Sequence, residues 1–486
     1  MKNVSLEFYG GVNEIGGNKI LLRDHDTKIF LDFGMSFGQS GKFFSEFLQP
    51  RKCNGLGDFF EFGLLPDLPG VYRQDYLKHM GRKQEEREIS GVLLSHAHAD
   101  HASFIHHLRE DIPIYCSKES HAILKALNDT ASAGCTDLTE LKESFSTYVN
   151  KKGEISKATT RTNKGLLKPR IFPDMPFGKK FKIDNLEIVP YNVDHSLPGA
   201  TGFIIHTTEG SIIYTGDIRF HGRRGEETIN FMNKCKETEP DILLIEGTRI
   251  NEQSTGTEKD VENEVSKISS NSKGLTVCNW PVRDTDRMIS FLNAAKSIDK
   301  KLTIDFKQAY VLKLLGECNS NAPKLNDENI EIYAMRKNWG VIGDKSVDDK
   351  IKNSDYSTWE REFLDDSICF KDVKNNQSDY MFFCNNFELK ELVDLKPVKG
   401  SSYIKSVCEP FDQEMEIDWN RIENWINHFG LHLNRTHVSG HASGPELKKF
   451  VETVNPKKVI PIHTEHAEFY EKWHGNVEIV KNNYTF

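Results

Sequence analysis

No run of about 18 apolar residues occurs anywhere in this chain, so nothing in it is built to span a membrane. The opening stretch from Met1 to Glu7 lacks the apolar core of a secretory leader. No two cysteines form a C-x-x-C pair. The nine present (Cys53, Cys116, Cys135, Cys235, Cys278, Cys318, Cys369, Cys384 and Cys408) are odd in number and scattered. That argues against a disulfide framework or a cysteine-bound zinc, and for a reducing, cytoplasmic setting. Excess positive charge is missing too, since the formal net charge is −9. A histone-like binder is thereby excluded, but an enzyme with a local basic channel is not. Internal repeats and low-complexity tracts are absent. At 486 residues the chain suits roughly two or three domains and can bury a large core.

What the chain does have is Ser95-His96-Ala97-His98-Ala99-Asp100-His101, directly after the apolar run Gly91-Val92-Leu93-Leu94. This reads as a strand that ends and delivers metal ligands into a tight loop. Zinc takes neutral imidazole and carboxylate ligands, and a catalytic site keeps one position open. His96 and His98, two apart on extended chain, point the same way and can share one ion. Asp100 and His101 lie past the turn and can serve a second ion. The plainer alternative is a set of surface or hydrogen-bonded core histidines.

That cluster alone does not close a two-ion site. His195 follows the strand-like Leu186–Tyr191, and Asp217 ends the run Ile212-Ile213-Tyr214-Thr215-Gly216-Asp217. Asp32 ends Ile29-Phe30-Leu31-Asp32 in the same way. The shared plan is an apolar strand with a polar residue at its tip, where loops on a rigid sheet carry catalytic groups. Taken singly, each such acid is also a common turn former.

In this order, Asp32, the His96–His101 cluster, His195 and Asp217 resemble the motifs of the metallo-β-lactamase superfamily. Asp241 to Thr248, carrying Glu246, resembles the acidic motif that opens a β-CASP insertion. His437-Val438-Ser439-Gly440-His441-Ala442-Ser443-Gly444 resembles the motif that closes it, and Val459 to Glu465 resembles the last histidine motif, with His463. Gly10 to Gly17 is similar to the opening strand–turn of the ribonuclease J family. The resemblance implies an α/β fold: a four-layer αββα metallo-β-lactamase sandwich with an inserted β-CASP α/β domain. Residues 1–248 and 431–486 would form the sandwich and 249–430 the insertion.

The resemblance also implies roles. One zinc would be held by His96, His98 and His195, and a second by Asp100, His101 and His463, with Asp217 bridging them. A hydroxide between the ions would be the nucleophile. Asp32 would orient a ligand histidine. Glu246 would do the same near His441, the candidate general acid or phosphate contact. His437 and Ser439 could hold a neighbouring phosphate. Asp32 and Glu246 retain an alternative as turn residues, and His437 as an ordinary surface residue. Manganese is the alternative to zinc.

Within this family pattern, a histidine at the last motif accompanies RNA substrates, whereas DNA-repair members carry valine. His463 therefore favours single-stranded RNA, cleaved by 5′–3′ exonuclease and also endonuclease action. A DNA nuclease and a non-catalytic RNA-binding scaffold are the competing readings. The chain ends at Phe486, soon after His463, so the family's C-terminal domain is expected to be absent, leaving a homodimer or larger complex undecided.

Several segments carry secondary expectations. The Phe-, Gly- and Pro-rich stretch 36–89 is expected to pack as a lobe beside the site. Between 132 and 185, Lys151 to Arg170 holds seven Lys/Arg against one Glu, either a solvated loop or a phosphate-contacting arm. Arg219, His221, Arg223 and Arg224 could form a basic lip. Trp280, Arg283 and Arg287 could stack and clamp bases. His106, His107, His121, His206, His432 and His466 take the ordinary packed or surface reading. Strand-like pieces alternating with helical ones over 249–430 predict a largely parallel sheet. The chain is expected to rejoin the first domain through Leu431–Ser439, the helix Gly444–Val454 and the strand Lys458–His463.

Overall fold

Alternating apolar side chains let each strand of the first domain serve two cores. Ile20, Leu22, Ile29 and Leu31 point to one side of their sheet, whereas Leu21 and Phe30 point to the other. The structure, a computed structural model, describes residues 3–45, 47–131, 134–160, 162–253, 256–344, 346–409, 413–481 and 484–485. Its first sheet has six strands, in the order Tyr484–Thr485, Val4–Phe8, Ile20–Asp24, Thr27–Leu31, Gly91–Leu93, Ile114–Tyr115. The second, also of six, runs Phe181–Ile183, Leu186–Asn192, Thr201–Thr207, Gly210–Tyr214, Ile242–Ile245, Lys458–Pro461.

The inner faces meet in one apolar layer that includes Phe8, Leu31, Phe203, Tyr214 and Ile460. Helices Gly225–Thr238 and Gly444–Val454 cover the outer face of the second sheet through Phe231, Leu447 and Phe450. Helix Lys118–Thr130 and the segment 36–89 cover the first sheet, with Leu56, Leu65, Tyr72 and Leu77 fully buried. The result is the four-layer αββα sandwich.

Strand direction sets where function can sit. Thr27–Leu31 runs parallel to Gly91–Leu93, and Gly210–Tyr214 runs parallel to Ile242–Ile245 and Lys458–Pro461. Parallel neighbours end at the same edge, so Asp32, His96, Asp217, Glu246 and His463 all leave the sandwich on one rim.

The inserted unit is a seven-stranded, all-parallel sheet: Ser367–Ile368, Ile330–Tyr333, Lys301–Ile304, Tyr380–Phe383, Thr276–Asn279, Ser402–Lys405, His432–Arg435. His432–Arg435 pairs with Ser402–Lys405, so the chain crosses back to the sandwich only after Arg435. The two units share a single apolar cluster, in which helix Phe306–Glu317 packs on Lys118–Thr130 and the Tyr310 hydroxyl donates to Asp129 at 2.8 Å. Each large apolar side chain buried there contributes about 1.5–3 kcal/mol, so the junction is a packed interface and not a linker. Among the described residues no helix is long and apolar enough to cross a membrane.

The basic stretch resolves into a hairpin, Thr147–Val149 with Ile155–Lys157, followed by Leu167–Pro169 paired with Glu140–Lys142. Lys151, Lys152, Lys157 and Lys164 are exposed, whereas Arg161 lies outside the described residues. Arg170 does not fit a phosphate arm. It is buried and donates to the carbonyls of His106, Leu108, Arg109 and Asp137, stitching the loop to the sandwich. Lys168 is engaged by Glu110.

Candidate metal centre

The rim gathers ligand-type atoms from separate segments into one cluster. His96 Nε2 and His195 Nε2 lie 2.9 and 3.0 Å from His98 Nδ1, and Asp217 joins these three rings as one set. Asp100, His101 and His463 form an adjoining set, with His463 Nε2 at 3.1 Å from Asp100. Asp217 lies between the sets, at 3.2 Å from His101, 3.5 Å from His96 and 3.8 Å from both His195 and His463.

Two local backbone features build this rim. Asp32 and His463 both occupy the left-handed region, at φ 57° and 50°, a conformation that costs a non-glycine residue energy and recurs at functional sites. Gly34 meets the Asp100 loop so closely that a Cβ would sit 1.8 Å from the Asp100 carbonyl oxygen. Only glycine permits that approach, which holds the histidine loop against the strand carrying Asp32.

The hydrogen bonds around the cluster decide which nitrogens are free. His101 Nδ1 donates to Asp32 at 2.6 Å, and His195 Nδ1 donates to the Gly440 carbonyl at 2.6 Å. Ser95 Oγ gives its own proton to Asp32, so at 3.0 Å it accepts from His96 Nδ1. Thr248 Oγ1 points its proton at the His463 carbonyl and accepts from His463 Nδ1 at 2.8 Å. Four rings therefore turn a bare Nε2 lone pair toward the centre. Lone pairs repel, and two buried atoms there, His101 Nε2 and Asp217 Oδ1, have no hydrogen-bond partner. A buried polar atom without a partner is costly, and a cation resolves both problems. The imidazole and carboxylate donors fit zinc.

Electrostatics separate the two sets. Burial holds the His96 and His195 imidazoles well below their ordinary pKa and brings His98 down to about 4. Burial would also depress His101, but Asp217, Asp100 and Asp32 outweigh it and raise that ring. His441 is similar: burial is overcome by Glu246 and Asp217, lifting it to about 9. Glu246, itself fully buried, accepts from His441 Nδ1 at 3.1 Å and from the Ile218 amide at 2.8 Å.

The remaining sequence candidates divide. Ser439 Oγ accepts from the His441 amide, while its carbonyl takes Arg219 and His221. His437 is exposed, with Nδ1 at 3.1 Å from the Arg287 guanidinium. The basic lip does not form. Arg219 is fully buried against Asp194, Glu258 and Asp286; Arg223 pairs with Glu262, and Arg224 with Asp286. These arginines brace the sandwich against the insertion. Trp280 is buried against Phe291 and Phe383 and offers no face for a base. Arg287 is likewise buried, on Glu258. Sequence reasoning missed Ser95, Tyr214 (whose hydroxyl donates to Asp32 at 2.5 Å), Thr248 and the Gly440 carbonyl. All four stand in the same short stretches as the candidate ligands, so adjacency was the available signal.

Comparison with known proteins agrees with this architecture. Residues 65–271 match the beta-lactamase superfamily domain, and residues 431–472 match the Zn-dependent metallo-hydrolase RNA specificity domain. The chain thus carries a metallo-β-lactamase domain together with an RNA-specificity domain of the Zn-dependent metallo-hydrolases. The chain is similar to ribonuclease J, and its arrangement is consistent with a β-CASP member of that type. It is 23% identical to ribonuclease J of Mycoplasma genitalium, over 96% of this chain and 68% of that protein. To the Thermus thermophilus enzyme it is 21% identical, over 94% of this chain and 67% of the relative. A crystal structure of a protein of unknown function from Enterococcus faecalis superposes with a TM-score of 0.72 at 21% identity, covering 99% of both chains, and shares the fold.

Proposed function

We propose that this chain is a metal-dependent nuclease that hydrolyses phosphodiester bonds of single-stranded RNA, working from the 5′ end and also internally, with zinc at both ligand sets. The ribonuclease J relatives and the RNA-specificity match support a hydrolytic ribonuclease. The observation that carries the reading is the position of Asp217 between the two groups of imidazoles, 3.5 Å from His96 and 3.2 Å from His101. His96, His98, His195 and Asp217 would hold one ion, and Asp100, His101, His463 and Asp217 the other. Bound zinc would supply Lewis acidity at phosphorus and an acidified water, whose pKa falls to about 7.

The chain's own residues do the rest. Asp32 holds the Nδ1 proton of His101 and keeps that ring in one tautomer. Glu246 holds His441 by Nδ1 and favours its charged form, which suits it to give a proton to the departing oxygen. Ser439 fixes the backbone at His441.

Digestion of end-labelled 5′-phosphorylated RNA and matched DNA tests the reading, with products mapped by length. Zinc-dependent shortening of RNA is expected. Preferred cleavage of DNA would replace the substrate, and binding without cleavage would make the chain a scaffold.

A further inference from the structure

Six arginines stand where the insertion meets the rim, and five are committed. Arg219, Arg223, Arg224, Arg249 and Arg287 each pair with a carboxylate. Arg283 has no ion pair or hydrogen bond among the described residues, and burial lowers its pKa. Its acidic neighbours are occupied: Asp284 accepts from the Arg287 amide, and Asp286 takes Arg219 and Arg224.

The place of Arg283 makes this pointed. It lies between strand Thr276–Asn279 and helix Thr285–Ser297, at the carboxyl edge of a parallel sheet, where open α/β sheets bind ligands. Three residues on, Asp286 pairs with Arg224, which donates to the His195 carbonyl at 2.7 Å, so this segment abuts the first ligand set. A half-buried, unpaired cation on a segment beside a centre made for cations is unfavourable twice over. An anion lying between them removes both costs, and a phosphodiester at the rim is such an anion.

The adjacent strand adds an aromatic. Tyr380–Phe383 pairs in parallel with Thr276–Asn279, and the loop after it carries Phe387, 89% exposed. The two loops are tied together, since Asn279 Nδ2 donates to Asn386 Oδ1 at 3.1 Å.

We propose that Arg283 and Phe387 form a nucleotide grip on the inserted unit. Arg283 takes a substrate phosphate beside the scissile bond, and Phe387 stacks on the neighbouring base. The inference rests on the nuclease reading above and adds the residues by which the insertion holds the strand.

The test is single-turnover cleavage of a 5′-phosphorylated single-stranded RNA by the zinc-loaded protein, across enzyme concentration and salt, for wild type, Arg283→Ala, Arg283→Lys and Phe387→Ala. Arg283→Ala should raise the half-saturating concentration about tenfold and lower the log–log salt slope by about 0.7, the share of one phosphate on a single strand. Arg283→Lys should keep the slope and recover part of the affinity, because the point charge remains while the planar fork is lost. Phe387→Ala should raise the half-saturating concentration about fivefold or more at an unchanged slope, as loss of stacking does.

Thermal unfolding separates this from a structural role. An Arg283→Ala defect that comes with a lowered melting temperature and an unchanged salt slope overturns the grip. So does a wild type that cleaves RNA alongside variants with unaltered half-saturation. Wild-type hydrolysis of bis(p-nitrophenyl) phosphate reports on the metal centre alone. If that diester is turned over but RNA is neither bound nor cut, the RNA reading fails and the grip falls with it.

Discussion

Asp217 lies against the imidazoles of both groups, and the two groups differ in their charge. His96, His98 and His195 are three imidazoles pushed by burial toward the neutral form, ready for a cation without losing a proton. Asp100, His101 and His463 are rich in carboxylate contacts, and His101 is pulled toward the charged form by Asp217, Asp100 and Asp32. A proton would compete with a cation for His101 Nε2, so binding at the second set would be linked to pH. Of the two proposed sites, the second would be the one whose occupancy depends on pH.

Removing the shared ligand breaks the comparison altogether. Asp217→Asn should lower RNA cleavage by more than about 10³-fold, the scale of deleting a charged group at a reacting centre, and should reduce metal at both sets. Full zinc content by atomic spectroscopy in that variant would separate Asp217 from the ligands. His441→Ala comes next. It should leave both sets loaded but cost about 10²–10⁴-fold in rate, and loss of zinc would reclassify His441 as a ligand.

Asp32→Asn sharpens the contrast, because Asp32 bonds His101 directly but reaches His96 only through Ser95 Oγ. Affinity should fall by about 10–100-fold for one ion and much less for the other in a calorimetric titration. Equal weakening of both would erase the distinction. Acidification should act in the same direction. Below the raised His101 pKa a proton competes with the cation, whereas His98 resists protonation down to about 4. Metal content should therefore fall toward one ion per chain near pH 5, between the ordinary imidazole pKa of about 6.5 and that lower limit. Simultaneous loss of both ions would contradict the account. The smallest effect is expected at the basic hairpin, where Lys151, Lys152 and Lys157 changed together to Ser should only flatten the salt dependence of RNA binding.

How far the sequence could be read follows from the same contrast between local and distant partners. The ligand cluster was legible because His96 to His101 are contiguous and because each distant member ends an apolar strand. Direction could not be read from spacing, and it is the parallel pairing of Thr27–Leu31 with Gly91–Leu93 that puts Asp32 beside Ser95 and His101. Arg219, Arg223 and Arg224 suggested a basic surface because their partners, Glu258, Glu262 and Asp286, belong to the other unit. Trp280 misled for the matching reason: the residues burying it, Phe291 and Phe383, lie on a later helix and strand. Arg283, named with Trp280 and Arg287 from the sequence, is the one of the three left without a partner among the described residues.

The central claim is that this rim is a two-cation centre that cuts RNA. The most direct test is to strip the protein with chelator and then titrate zinc back while following cleavage of end-labelled 5′-phosphorylated RNA. The account predicts that activity rises only as the second equivalent binds. Full cleavage by the stripped protein, or no cleavage at two bound equivalents, would contradict it.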